Sequence, residues 1–366
     1  MRFVFVSYNY SPDISTPQEW LNRVKIYVGS LECLSKNHTV ICVEQINYKG
    51  NFSNNGVQYH CVSYGKRKNY FPRKLNGFVK SLRPDVIVVS GLHFPLQVIQ
   101  LRLGLGRKIK IIAQNHAEKP FTGIKKYLQQ LADKYIDAYF FASHAAGAEW
   151  VSKGNLHSEK KVREIMEVSS VFYPVDKILA RSITRVSGDP VFLWTGRLNV
   201  NKDPLTVVQA FLQFLRFQPT AHLYMIYQTA ELLPELKILI NGEKNNHNAV
   251  VLIGEVQHKE MQYWFNSADF IISGSHYEGS GTAICEAMSC GCVPIVTDIF
   301  SFRAITANGE CGLLYNPGDA NALLAALMQA TQMDVQEKRN KALEHFKNNL
   351  SFEAIAGKIQ EVAASL

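Results

Sequence analysis

The sequence predicts an α/β protein built on two doubly wound, mainly parallel sheets. Three observations point there. Short apolar runs of strand length alternate with amphipathic helical stretches along nearly the whole chain. At 366 residues the chain is longer than one core ordinarily serves. A fresh alternating series then opens at Val191-Phe192-Leu193-Trp194-Thr195-Gly196, so two units are expected rather than one large one.

Taken in order, Arg2 to Ser7 reads as the first strand and Tyr8 to Ser15 as a polar loop. Thr16-Pro17-Gln18-Glu19 has the form of a capping box with proline at the first helical position. The helix it opens runs to about Ser35, with Trp20, Val24, Tyr27, Val28, Leu31 and Leu34 as its apolar stripe. Strands follow at Thr39 to Val43 and Val57 to Ser63, a helix at Phe71 to Leu82, and a buried strand at Pro84 to Ser90. A helix from Pro95 leads to a strand from Lys108 to Ala113, which ends at Gln114-Asn115-His116. Asp137 to Ala142, a helix from Ser143 and a strand from Val168 to Tyr173 close the first series. Ile178 to Asp189 lacks periodicity and reads as a linker. In the second series the strands are Val191 to Gly196, His222 to Ile226, Val250 to Ile253, Asp269 to Ile272, Val293 to Val296 and Gly312 to Tyr315, with terminal helices from Ala320 to Leu366. The expected domains are residues 1–177 and 178–349, with a C-terminal helix over 350–366 packing back toward the first.

Composition narrows the class. Hydrophobic residues make up 47% and charged residues 19%, ordinary for a globular protein. No apolar run approaches the roughly 20 residues that span a bilayer, and the chain enters a strand pattern at Arg2 without a signal-peptide stretch, so a cytoplasmic protein is expected. The seven cysteines lack paired metal spacing and sit in apolar stretches, as reduced core thiols do. The net charge of +8 is unevenly spread: residues 1–185 hold 27 Lys and Arg against 13 Asp and Glu, the remainder 12 against 18.

The stretch from His276 to Val296 carries the chemistry. Asp269 to Ser273 is a short apolar run, Gly279 and Gly281 open a turn, Thr282 to Cys290 is rich in helix formers, and Gly291 stands at a left-handed cap before the next strand. In such a strand-loop-helix unit the free amides at the helix start favour a phosphate, and the glycines let a ligand reach the backbone. Glu278 lies in the loop and Glu286, eight positions on, in the early helix. Beside a diphosphate, two acids make sense as acceptors for the hydroxyls of a sugar and a ribose; on their own they equally fit a solvated loop acid and a helix-dipole acid. Directly after the strand at Val191, Gly196-Arg197-Leu198-Asn199-Val200-Asn201-Lys202-Asp203-Pro204 sets two cations in a strand-to-helix loop. Arg197 as a fork and Lys202 as a point charge would suit a diphosphate, and equally fit two solvated loop cations.

Glu278-Gly279-Ser280-Gly281, four residues, then Glu286-Ala287-Met288, with Gly291 and Pro294 beyond, resembles the Glu-x7-Glu signature of the family 4 (group 1) retaining glycosyltransferases. Gly196-Arg197-Leu198 and Lys202-Asp203 resemble the family's diphosphate motif, in the right order ahead of it. Pro174-Val175-Asp176 is similar to the segment that closes the family's first domain. The resemblance implies a GT-B fold, two Rossmann-like domains facing across a cleft, with the donor bound mainly by the second and the acceptor by the first. It assigns the transferred sugar to Glu278 and the nucleotide ribose to Glu286. Around the departing diphosphate it places Gly196, Arg197, Lys202 and the Gly279, Ser280, Gly281, Thr282 and Ala283 backbone. His116 matches by position the family's first-domain histidine near the sugar, and equally a capped or core histidine. Retention of configuration through an oxocarbenium-like transition state is implied. The substrate is a nucleoside diphosphate sugar, UDP- or GDP-linked, and no cofactor is called for. No Asp-x-Asp occurs in the sequence, so a bound divalent metal is not implied.

Two departures stand out. Tyr10 to Ser15 lacks the glycine pair that many members carry in the first loop, and Tyr227-Gln228-Thr229 replaces a glycine-rich turn after the second strand of the second series. A GT-B epimerase or phosphorylase, or a non-catalytic nucleotide-sugar-binding protein, are the other readings. Lys66-Arg67-Lys68-Asn69-Tyr70-Phe71-Pro72-Arg73-Lys74 interleaves cations with aromatics. Arg102, Arg107, Lys108, Lys110, Lys125 and Lys126 add to the basic first half. Such a segment fits the surface of an anionic membrane, which would make the acceptor a lipid-linked glycan at the inner face; it fits a solvated basic loop as well. No nucleic-acid recognition motif accompanies the charge.

Overall fold

In the computed structural model, which describes residues 1–64, 71–243 and 248–366, the chain divides into two units, Met1–Ser169 with Ser351–Leu366, and Ser170–Leu350.

In the first unit, β1 (Arg2–Ser11), α1 (Pro17–Ser35), β2 (Thr39–Ile46), β3 (Gly50–Asn54), β4 (Val57–Val62), α2 (Arg73–Ser81) and β5 (Val86–Ser90) are followed by α3 (Pro95–Leu105), β6 (Lys110–Gln114), α4 (Gly123–Asp133), β7 (Ala138–Phe141), α5 (His144–Ser152) and β8 (Val162–Glu164). The sheet order is β3-β4-β2-β1-β5-β6-β7-β8, parallel apart from the antiparallel β3/β4 pair. Phe3, Val4, Val6, Ile87, Val88 and Val89 are fully buried, as central strands covered on both faces require. The capping box of α1 forms: Glu19 N–H donates to Thr16 Oγ1 at 3.2 Å and Thr16 N–H to Glu19 Oε2 at 3.2 Å.

The second unit contains α6 (Lys177–Thr184), β9 (Val191–Gly196), α7 (Pro204–Phe214), β10 (His222–Tyr227), α8 (Leu233–Gly242), β11 (Val250–Gly254), α9 (Met261–Ser267), β12 (Phe270–Ser273), α10 (Thr282–Ser289), β13 (Val293–Thr297), α11 (Phe300–Ile305), β14 (Leu313–Tyr315), α12 (Ala320–Ala330) and α13 (Val335–His345). Its sheet runs β11-β10-β9-β12-β13-β14, parallel throughout. Phe192 stacks on Phe270 at 5.1 Å and meets Phe211 and Phe214 edge-on, an aromatic centre for this core. From β9 the chain winds to one side through β10 and β11, then returns to place β12 on the other side. The loops after β9 and β12 therefore flank the switch point, where doubly wound sheets bind ligands.

Several elements depart from the sequence reading. Residues 178–189, read as a linker, hold all of α6 but its first residue, Lys177. Asp176 caps this helix, and Arg185 ends it in the left-handed region at φ 58°. It has only eight residues, leaves Ile178, Leu179 and Ile183 exposed, and meets the neighbouring α9 through polar groups, with Arg181 Nε donating to Ser267 O at 3.0 Å. Its periodicity therefore does not mark a buried face. Val168 to Tyr173 is not a strand, and the unit boundary falls at 169/170 rather than after 177, because Val175 N–H donates to Asn266 Oδ1 at 2.8 Å and Asn266 Nδ2 to Tyr173 O at 3.1 Å. Strand β3 pairs with β4 through Asn55-Gly56, both at positive φ, an Asn-Gly hairpin that the sequence does signal. At the C-terminus a π-helical turn, Phe346–Leu350, separates α13 from α14 (Phe352–Ser365), and α14 lies against α1 in the first unit. Where the glycine pair is missing, β1 runs on instead, pairing Tyr10 with Gln45 and Ser11 with Ile46. All seven cysteines are free thiols.

Candidate active site

In the loop between β9 and α7, fully buried Leu198 anchors the turn. Asn199 Oδ1 accepts from Lys202 N–H at 3.0 Å. Asp203 sits at φ 43° and caps α7, with Pro204 in its first turn. Strand β12 then delivers Gly274, where a Cβ would stand 2.9 Å from Asp203 O, so only glycine lets the two loops approach this closely. The loops are stitched together along their length. His276 N–H donates to Asn201 O at 2.8 Å, Asn201 Nδ2 to Tyr277 O at 3.0 Å, and His276 Nε2 lies 3.2 Å from Asp203 Oδ2.

At the centre of this seam Lys202 Nζ donates to Glu278 Oε1. The same oxygen accepts from Ser275 Oγ at 2.7 Å. Thr297 Oγ1 on β13 in turn donates to Ser275 O at 2.5 Å, which locks the loop to the sheet edge. Gly281 caps α10 at φ 56° without a side-chain hydrogen bond, and a Cβ there would stand 2.8 Å from Ile305 Cδ1. Ile284 and Cys285 amides bond back to Gly281 O, while those of Thr282 and Ala283 belong to the first turn, whose amides an α-helix leaves free for a ligand.

Glu286, one turn into α10, is 5% exposed, and its Oε1 lies 2.6 Å from His258 Nε2. The His258 ring packs on Phe172 with centroids 4.8 Å apart. Arg197 is exposed just past β9. The structure thus brings Lys202 and Glu278 into contact, sets Glu286 in a separate pair with His258, and leaves Gly196 at the end of β9 and Gly279 and Ser280 in the loop after β12. Sequence reasoning missed Ser275 and His258. The serine lies just ahead of the stretch from His276, three residues before Glu278, but His258 is 28 residues from its partner and carries only the weak signal of following a strand end.

His116 belongs to the first unit, past the end of β6. Its Nδ1 bonds Glu167 Oε2, its N–H donates to Glu118 Oε2 at 2.6 Å, and Tyr27 meets its ring edge-on. Burial lowers the imidazole pKa, but the hydrogen bond and charge of Glu167, with the charge of Glu118, outweigh it and hold the ring above its usual value. Of the cations read as surface charge, Arg102 is buried: it donates to Asp137 Oδ2 at 2.5 Å and to the carbonyls of Tyr135, Gly106 and Ile109. Residues Lys66 to Tyr70 lie outside the described residues.

Two doubly wound units, the second with cations and carboxylates on the loops beside its switch point, have the GT-B fold. Residues 176–349 match the family "Glycosyl transferases group 1", a match that lies within the second unit. Over 82 residues it is 33% identical to the O-antigen chain mannosyltransferase B of Escherichia coli, covering 22% of this chain and 21% of the relative. Over 235 residues it is 23% identical to the GDP-mannose:cellobiosyl-diphosphopolyprenol alpha-mannosyltransferase of Xanthomonas oryzae pv. oryzae, covering 63% and 60%. The chain therefore spans less than two thirds of either curated relative. Among solved structures, Anabaena Alr3699/HepE in complex with UDP superposes with a TM-score of 0.77 at 14% identity, over 100% of both chains, a likeness of fold.

Proposed function

We propose that the protein transfers a sugar from a nucleoside diphosphate sugar to a glycan or lipid-linked glycan, with retention of configuration and without a bound divalent metal. The observation that carries this reading is the Lys202, Glu278 and Ser275 cluster held beside the start of α10. The donor diphosphate takes the helix amides with Lys202 and Arg197, cations whose attraction grows as charge develops on the leaving group. Glu278 receives hydroxyls of the transferred sugar, Glu286 receives the ribose, and His116 is assigned to the sugar on the side of the first unit. Both curated relatives are named mannosyltransferases, which favours GDP-mannose; the UDP of the solved neighbour keeps UDP-sugars in the test. A thermal-shift panel of UDP, GDP, ADP and their sugars checks the donor: one diphosphate and its sugar should stabilise the protein, and no shift with any would overturn the reading. Turnover should survive EDTA, because the sequence has no Asp-x-Asp to hold a metal; activity lost to EDTA and restored by Mg²⁺ or Mn²⁺ would contradict that part.

The acceptor is read as lipid-linked, with the protein peripheral on the inner face of the membrane. Among the described residues no helix is long and apolar enough to cross a bilayer. On α4, Ile124 and Tyr127 are 80% and 69% exposed and Leu131 stands on the same face, while Leu103 on the adjacent α3 is 72% exposed. An exposed apolar face on the basic half of the chain supports interfacial binding. Salt-sensitive sedimentation with anionic vesicles, weakened by Ile124→Ser with Tyr127→Ser, is expected; equal binding to neutral vesicles at low salt would count against it.

A further inference from the structure

The Glu278 carboxylate is held at one oxygen and open at the other. Lys202 Nζ and Ser275 Oγ both donate to Oε1, the serine at 2.7 Å. Oε2 has no partner among the described residues, and the side chain keeps 15% of its surface exposed. Ser275 is fully buried, so water does not compete for its hydroxyl, and its single proton is committed to the carboxylate. Ser273 Oγ lies 3.1 Å from Ser275 Oγ and must be the donor in that contact. The hydroxyls therefore form a directed chain from β12 to Glu278. The backbone that carries them has little slack: Tyr315 OH on β14 donates to Ser273 O at 2.9 Å, and Thr297 Oγ1 on β13 holds Ser275 O.

The donors on Oε1 are not equivalent. Lys202 is a mobile point charge on a flexible stem, and a bound diphosphate competes for its ammonium. Ser275 is neutral, buried and fixed to the sheet edge, and a diphosphate offers it no alternative partner. Once the ammonium turns to the diphosphate, the Ser275 hydroxyl alone sets where the carboxylate points. A catalytic group misplaced by about 1 Å loses up to about 100-fold in rate, so this orientation matters. The hydroxyl is not what holds the loop in shape. That tie runs through the Ser275 carbonyl to Thr297, and an alanine would keep it.

We propose that Ser275, oriented by Ser273, is a positioning residue for sugar transfer: its hydroxyl keeps Oε1 of Glu278 fixed when a donor diphosphate draws Lys202 away, leaving Oε2 to a hydroxyl of the transferred sugar. The inference rests on the reading of Glu278 as the residue that receives that sugar. It is tested by double-mutant cycles on the full-length protein. Turnover is followed as nucleoside diphosphate release from GDP-mannose and UDP-glucose in the presence of a lipid-linked oligosaccharide extract, and GDP and UDP affinities are measured by calorimetry on the same samples. Ser275→Ala should lower kcat about tenfold or more, as loss of a hydrogen bond to a charged group does, with nucleotide affinity within about twofold of wild type. Ser275→Thr, which keeps the hydroxyl, should recover part of the loss. On the Glu278→Ala background, Ser275→Ala should change kcat by less than about twofold, because a residue that acts through Glu278 has nothing left to position. Ser273→Ala should lower kcat about threefold and be silent on the Ser275→Ala and Glu278→Ala backgrounds, which carries the same test if Ser275→Ala does not fold. A Ser275→Ala loss of equal size on both backgrounds, a loss in nucleotide affinity instead of kcat, or no loss at all would overturn the inference while leaving Glu278 its role. Undiminished turnover by Glu278→Ala, or none by wild type, would overturn the transfer reading and the inference with it.

Discussion

Lys202 and Glu278, 76 residues apart in sequence, form a direct ion pair where the loops after β9 and β12 meet. Ser275 donates to the same carboxylate oxygen, so Glu278 is held in place by a cation and a hydroxyl together. A donor diphosphate would compete for the Lys202 ammonium and leave Glu278 to the hydroxyls of the transferred sugar. Glu278→Ala is therefore expected to lower kcat by about 100-fold or more with a smaller change in nucleotide affinity, since the sugar contact strengthens toward the transition state. Steady-state kinetics with calorimetry on the nucleoside diphosphate separate the two effects. Equal losses in both would assign Glu278 to ground-state binding.

Arg197 stands exposed past β9 and is the cation of this loop not committed to Glu278. Arg197→Ala should cost about 2–4 kcal/mol in the transition state, as removal of one oxyanion donor does. kcat/KM within a few-fold of wild type would remove Arg197 from the leaving-group site.

Glu286 and His258 act as a pair, with the ring fixed on Phe172. Glu286→Ala should weaken nucleotide binding by about tenfold or more while leaving kcat at saturation nearly unchanged, because a ribose contact is made equally in ground and transition states. His258→Ala should reproduce the binding defect in part, and His258→Gln should recover some of it. Unchanged nucleotide affinity in Glu286→Ala would dissolve the ribose assignment.

The His116 pair gives a pH dependence. Its imidazole pKa is raised in the fold by Glu167 and Glu118 against the effect of burial, so the pair's stabilisation is fully present below the unfolded value of about 6.5 and is lost as pH rises through the higher folded value. The Tm advantage of wild type over Glu167→Gln should therefore be greatest near pH 6 and shrink toward pH 8. A constant difference across that range would show that the pair carries no linked proton.

What the sequence made legible follows from how local each signal is. Glu278, Gly281 and Glu286 sit in one strand-loop-helix unit, and Arg197 and Lys202 in another, so spacing alone places them in the loops after β12 and β9 and in the helix that follows the first of these. The partners of those residues come from elsewhere. His258 reaches Glu286 across 28 residues and Glu167 reaches His116 across 51, and no local pattern encodes either pairing. Helix α6 was hidden because its apolar side chains face outward, and β3 because its five residues are mostly polar, although Asn55-Gly56 announced the turn.

The central claim is that the Lys202 and Glu278 seam transfers a sugar, and it is tested most directly by following labelled GDP-mannose and UDP-glucose in the presence of a lipid-linked oligosaccharide extract. Wild type should release the nucleoside diphosphate, place the label on the acceptor and retain the anomeric configuration of the donor, while Glu278→Ala, folded and binding nucleotide, should not. Label transfer by Glu278→Ala at the wild-type rate, or tight nucleotide binding by wild type with no transfer from any donor and acceptor, would contradict the account.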